Sequence, residues 1–204
     1  MSFVLRVNTV ADPPGTDITE YVPLNGKSIK LTRQINGRGQ LSFDAEGDVS
    51  DLGSLLTPGV AVSFTEGGDL LFGGIIDSVE ETGVYPGYAE TRVRYSVECV
   101  SFATILDRRI VRQAWIGQTA ADIMSDIVAE YIGAAADYPE GFNTITWTGG
   151  IDGSTVIPRL EAFYKPVSWI LDQICKLVGA DWSVPPAATS IVFTGDGGGA
   201  AITQ

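Results

Sequence analysis

Between Thr91 and Val100 the chain alternates without a break: Val93, Tyr95, Val97 and Cys99 fall on one side, Arg92, Arg94, Ser96 and Glu98 on the other. Successive strand side chains point to opposite faces, so this pattern specifies an antiparallel strand with one buried and one solvated face. Such a strand needs neighbours. Val60–Glu66 and Leu70–Ile76 flank Gly67-Gly68-Asp69 and read as a hairpin. Gly73 and Gly74 inside its second strand predict a bulge or a close backbone approach, as a sharply bent sheet requires.

Upstream, Ser2–Val10 places Phe3, Leu5 and Val7 on one face and ends at the turn Asp12-Pro13-Pro14-Gly15. Ile18–Val22 and Lys27–Arg33 are short strand candidates separated by Asn25-Gly26. Gly37-Arg38-Gly39 forms a further turn before a strand at Gln40–Ala45, and Asp51–Leu56 reads as a short helical turn ended by Thr57-Pro58-Gly59. Ser78–Thr82 continues the second hairpin strand, and Val84-Tyr85-Pro86-Gly87-Tyr88 reads as a loop.

The pattern changes after Phe102. Thr119 can cap a helix, with Asp122 three residues on. Ile123, Ile127, Val128 and Tyr131 recur at helical spacing, and Gly133 can end that helix. Thr144–Thr148 is a short strand candidate, followed by a turn at Gly149–Gly153. A second helix opens at Pro166, lines up Val167, Ile170, Leu171, Ile174 and Val178, and stops at Gly179. Two strands follow, Asp181–Val184 and Ser190–Thr194, around Pro185-Pro186. The expected class is α+β, a small antiparallel β-barrel over residues 1–110 followed by a helix-containing α/β region over 111–195. Residues 196–204 form a Gly/Ala-rich tail expected to be poorly ordered.

Charge and composition remove several functions. Thirteen Lys and Arg stand against 25 Asp and Glu, a net −12, which disfavours duplex DNA binding and docking on anionic lipid. Histidine is absent, which removes the usual general base and imidazole metal ligands. Cys99 and Cys175 lie far apart in apolar segments, so two buried free thiols are expected. No secretory leader opens the sequence and no window holds roughly 20 apolar residues, so a soluble, unexported protein is expected.

Catalytic motifs are equally scarce. Glu80 and Glu81 are adjacent and would diverge on a strand. Asp44, Glu46, Asp48 and Asp51 read as a solvated acidic loop, lacking the glycine and terminal Glu of a calcium loop. Gly67-Gly68 and Gly195–Gly199 have no Lys-Ser/Thr after them, so no phosphate loop is formed. Asp107-Arg108-Arg109 with Arg112 is the one dense basic group, read as an interface or an internal ion-pair cluster. Trp115, Trp147, Trp169 and Trp182 could stack sugars, although Trp169 and Trp182 fit better as anchors of the second helix. No residue is assigned to catalysis, a cofactor or a metal, and the protein is expected not to be an enzyme.

In order, Leu71-Phe72-Gly73-Gly74-Ile75-Ile76-Asp77, Tyr95-Ser96-Val97-Glu98-Cys99-Val100, Leu106-Asp107-Arg108-Arg109 and Gly117-Gln118-Thr119-Ala120-Ala121-Asp122-Ile123 resemble the N-terminal half of tailed-phage baseplate or tail tip hub proteins, the late-control-D-like family. Pro166–Trp182 and Ile29–Phe43 are similar to that family too, so the likeness spans most of Ile18–Phe193. The resemblance implies a structural virion protein at the tail tip, assembled in the host cytoplasm. It would be part of a homotrimeric ring that closes the tail tube around a DNA exit channel. The implied partners are further copies of itself, the distal tail protein, the tape measure protein and tip or fibre proteins, without specific nucleic-acid binding or a membrane anchor. Hub proteins run longer, with a second barrel and often a fibre- or lysozyme-bearing extension. Two other readings stay open: a hexameric distal tail or tube-like ring protein, and a receptor- or carbohydrate-binding tail module using Trp115 and Trp147.

Overall fold

The fold is taken from a computed structural model that describes residues 3–7, 15–23, 28–33, 38–84, 92–132, 146–149, 154–187 and 190–195. The expected turns at Asp12–Pro14 and Asn25-Gly26, the loop at 85–88, the Gly133 stop and the tail at 196–204 lie outside them. The chain divides into two compact units, with the boundary between Phe102 and Ala103.

The first unit contains β1 (Phe3–Val7), β2 (Thr16–Asp17), β3 (Ile29–Thr32), β4 (Gln40–Asp48), α1 (Val49–Leu52), β5 (Ala61–Glu66), β6 (Asp69–Val84) and β7 (Arg92–Ser101). They form one sheet in the order β2-β1-β5-β6-β7-β4-β3. The hairpin is as expected: Gly67 and Gly68 both take positive φ, which suits a two-residue turn between right-twisted strands. On β7, Val93, Tyr95, Val97 and Cys99 are buried. They meet Leu5, Val7, Leu41, Phe43, Ala45, Val62, Phe64 and Ile76 in one core, where each fully buried large apolar side chain is worth about 1.5–3 kcal/mol.

One local expectation changes. Ile18–Val22 is not a strand but carries a 3-10 turn at Thr19–Tyr21. The Asp17 carboxylate accepts the Thr19 N–H at 2.9 Å, and the Thr19 hydroxyl accepts the Leu5 N–H at 2.9 Å. These bonds bend the chain where a strand would have run straight. The register shifts fall at Phe64/Thr65, Ile76/Ser78 and Glu81/Gly83 rather than at Gly73-Gly74. Gly74 provides the close approach that is the other expectation there, since a Cβ would lie 2.1 Å from the Val100 carbonyl oxygen.

The sheet is rolled but, among the described residues, not closed into a barrel, because β2 and β3 are unpaired outer edges. The Arg33 guanidinium donates to the Leu71 carbonyl at 2.9 Å, which ties the end of β3 back to β6 across the roll. The gap that remains is an open cleft of about 390 Å³ lined by Phe3, Val22, Ile29, Leu31, Phe64, Glu66 and Leu71, among others. Closure would need a strand to bridge β2 and β3, and β2 stops after two residues at the Asp17–Thr19 turn.

The second unit contains α2 (Thr104–Arg108), β8 (Ile110–Thr119), α3 (Ala120–Ile127), β9 (Thr146–Gly149), β10 (Val156–Pro166), α4 (Val167–Val178), β11 (Ala180–Ser183) and β12 (Ser190–Gly195). Thr119 caps α3 as expected: its hydroxyl accepts the Asp122 N–H at 3.1 Å and donates to the Asp122 carboxylate at 2.7 Å. A π-helical turn, Val128–Ile132, extends α3. Helix α4 buries Val167, Ile170, Leu171 and Ile174 and ends at Gly179, whose φ of 70° is the left-handed cap that glycine adopts without strain. Strand β12 lies between β11, antiparallel, and β9, parallel. β8 and β10 form a separate antiparallel ribbon.

Both cysteines are buried free thiols. Burial pushes the Cys175 thiol up to about 12 and that of Cys99 further. Such a group ionises near 9 when unfolded, so at higher pH the unfolded state holds fewer protons than the folded one. Stability is therefore expected to be intact below about pH 9 and to fall as pH rises towards 12. Urea unfolding at pH 8 and pH 10 checks this, and equal midpoints would contradict it.

Candidate functional site

No group of three or more His, Cys, Asp or Glu arranged to hold a metal ion occurs among the described residues. The acidic set does not form a loop. Asp44, Glu46 and Asp48 extend β4 because Phe43, Ala45 and Gly47 keep the inward positions of the same alternation. Arg94 on β7 reaches Asp44 at 2.7 Å and Glu46 at 3.8 Å. In register, Glu98 pairs with Ser42 and Glu80 with Ser96. The outer face of β6, β7, β4 and β3 thus presents Asp44, Glu46, Asp48, Glu80 and Glu98 against Lys30, Arg92 and Arg94.

The tryptophans serve packing. Trp115 is 1% exposed and its indole N–H donates to Asp126 at 3.1 Å. Trp182 is 2% exposed and donates to Asp172 at 2.7 Å. Trp147 is half-buried edge-on against Phe193, and Trp169 is half-buried beneath the Lys165 ammonium, 5.4 Å from its ring centre. A sugar groove built on Trp115 is thereby removed. Asp107 accepts a hydrogen bond from the buried Ser168 hydroxyl, and the Arg109 carbonyl accepts the Val167 N–H at 2.9 Å. The basic link therefore anchors α4, while Arg112 sits apart on β8.

The surface that sequence reasoning missed is the β8–β10 ribbon. Its inner face is Val111, Trp115, Leu160 and Ala162, all buried. Its outer face pairs Arg112 with Phe163, Ala114 with Glu161, and Ile116 with Arg159, every one exposed. Ile116 is 71% exposed, and Tyr164, at the register shift beside Phe163, 72%. Five of the eight exposed large hydrophobics among the described residues belong to these two strands, so they are not scattered singly over the surface. The Arg112 guanidinium lies 5.9 Å from the Tyr164 ring centre, and Arg159 is ion-paired with Glu161. The only signal in the sequence was that Ile110-Val111 and Trp115-Ile116 put apolar residues on both faces of one short strand.

No protein-family model matches the sequence, and no curated protein matches it. Solved structures do match. The 43 kDa tail protein of prophage MuSo2 from Shewanella oneidensis aligns with a TM-score of 0.64 at 14% identity, over 94% of this chain and 53% of that one. The chain has a phage tail protein fold. A tail protein from Neisseria meningitidis MC58 aligns at 0.61 and 13% identity, over 95% of this chain and 50% of its own. An E. coli type VI secretion component, described as structurally similar to the T4 tail proteins gp27 and gp5, aligns at 0.54 and 11%, over 84% and 48%. The chain spans about half the length of the tail proteins it matches. Among the described residues no helix is long and apolar enough to cross a membrane.

Proposed function

We propose that this chain is a structural tail component of the hub type, a subunit of a ring at the distal end of a phage tail tube. The observation that carries the reading is the tail protein fold, which aligns over 94% of the chain. The rolled sheet of the first unit takes the place of the family's barrel. The protein acts by shape and charge rather than by catalysis, and its partners are further copies, the distal tail and tape measure proteins above and tip or fibre proteins below. The acidic outer face carrying Asp44, Glu46, Asp48, Glu80 and Glu98 faces the bore, where it keeps passing DNA from adhering.

Symmetry-resolved electron microscopy of purified tail tips tests this. Three copies beneath a six-fold tube, with an acidic bore, are expected. Six copies would reassign the chain to a distal tail or tube-like ring, and a neutral or basic bore would overturn the charge argument. Absence from the tail would overturn the whole reading.

A further inference from the structure

We infer that the outer face of the β8–β10 ribbon docks one copy of this chain onto the apolar cleft of the next at its Glu66 side, an inference that rests on the ring proposed above. The two surfaces are complementary in kind. The ribbon's outer face offers Ile116, Phe163 and Tyr164 with Arg112 and Arg159 around them, and Glu161 as its one acid, so it carries a net positive charge within a chain of net charge −12. The cleft offers Phe3, Ile29, Leu31, Phe64 and Leu71, with Glu66 as its charged lining residue, while the Arg33 guanidinium at its β3 end is engaged by the Leu71 carbonyl at 2.9 Å. Asp69 and exposed Leu70 adjoin it on β6, Asp69 paired with Glu66 across the hairpin. At about 390 Å³ the cleft lies in the size range of ligand pockets and admits an aromatic side chain.

Backbone strain marks the same spot. Tyr164 is the one non-glycine at positive φ among the described residues, at 55°. A tyrosine held there is disfavoured in the free chain, which makes its exposed ring a candidate for a role outside folding. Ribbon and cleft are different patches, so the contact is heterologous; repeated by rotation it closes a ring, whereas a two-fold dimer would pair like with like.

The test is the association of the full chain, followed by sedimentation velocity over a concentration series, with circular dichroism to verify folding. Phe163→Asp, Arg112→Glu and Glu66→Arg are each expected to weaken association by roughly 10- to 30-fold. Combining Arg112→Glu with Glu66→Arg is expected to recover most of it. Tyr164→Gly is expected to raise the melting temperature while weakening association, a split that a purely structural role would not produce. Variants that associate like the wild type, a double variant that recovers nothing, or a wild type monomeric at every concentration would each overturn the inference. Tail tips that carry a normal ring of the Phe163→Asp chain would remove the ribbon contact and leave the ring reading intact.

Discussion

Gly74→Ala is expected to destabilise the first unit by about 3 kcal/mol or more, among the largest effects of any single methyl group in the chain. A Cβ at this position would stand 2.1 Å from the Val100 carbonyl oxygen and 2.8 Å from the Phe72 ring. The ring could swing aside, but the carbonyl belongs to the β6–β7 ladder, where Ile75 pairs with Val100 and Gly74 with Ser101. Relief would have to come from separating the two strands at the middle of the sheet. Gly59→Ala is the informative control: nothing lies within 4 Å of its Cβ, and its φ of 91° limits the penalty to local backbone strain. Urea denaturation of both variants checks the contrast. A Gly74→Ala midpoint close to that of Gly59→Ala would show that the strands do not approach this closely.

Trp115→Ala is expected to destabilise the second unit by about 3–5 kcal/mol, the range for truncating a buried aromatic side chain. The indole is, with that of Trp182, one of the two largest fully buried side chains among the described residues, and Trp115 pairs across the ribbon with Leu160. Its N–H is also a partner of Asp126 on α3 at 3.1 Å. Trp115→Phe separates the two contributions: it keeps most of the apolar volume and removes the donor, for an expected loss of about 1–2 kcal/mol. Equal losses in the two variants would mean that the hydrogen bond, not the packing, dominates. Tryptophan fluorescence is unsuitable as the only readout, since the substitution deletes a reporter; far-ultraviolet circular dichroism against urea serves both variants.

The parts of the fold that were legible in the sequence are those with local periodicity. Val93 to Cys99 alternates, and the strand is half-buried. Val167 to Val178 repeats at helical spacing between Pro166 and Gly179, and the helix has those bounds. The sequence places the end of strand β4 at Ala45 and an acidic loop beyond it, yet the strand runs on to Asp48 and Gly47 holds an inward position. A Cβ there would come within 2.8 Å of both Leu52 and Tyr21, so packing overrides propensity. The ribbon escaped detection because Pro158, the positive φ at Gly117 and the register shift around Tyr164 interrupt any period of two. The cleft had no local signal at all: Phe3, Leu31 and Phe64 meet only through the roll of the sheet.

The place of β12 between β11 and β9 bears on how the protein is made. All seven strands of the first unit have been synthesised by Ser101, so its sheet can form while the remainder is still being translated. The second unit's three-stranded sheet has its middle strand last, at Ser190–Gly195, and β9 waits more than forty residues for its parallel neighbour. Until then Ile191 and Phe193, both buried in the finished unit, are missing from its core. The first unit can therefore be native while the second is still incomplete, because the second unit's three-stranded sheet pairs only once β12 has emerged.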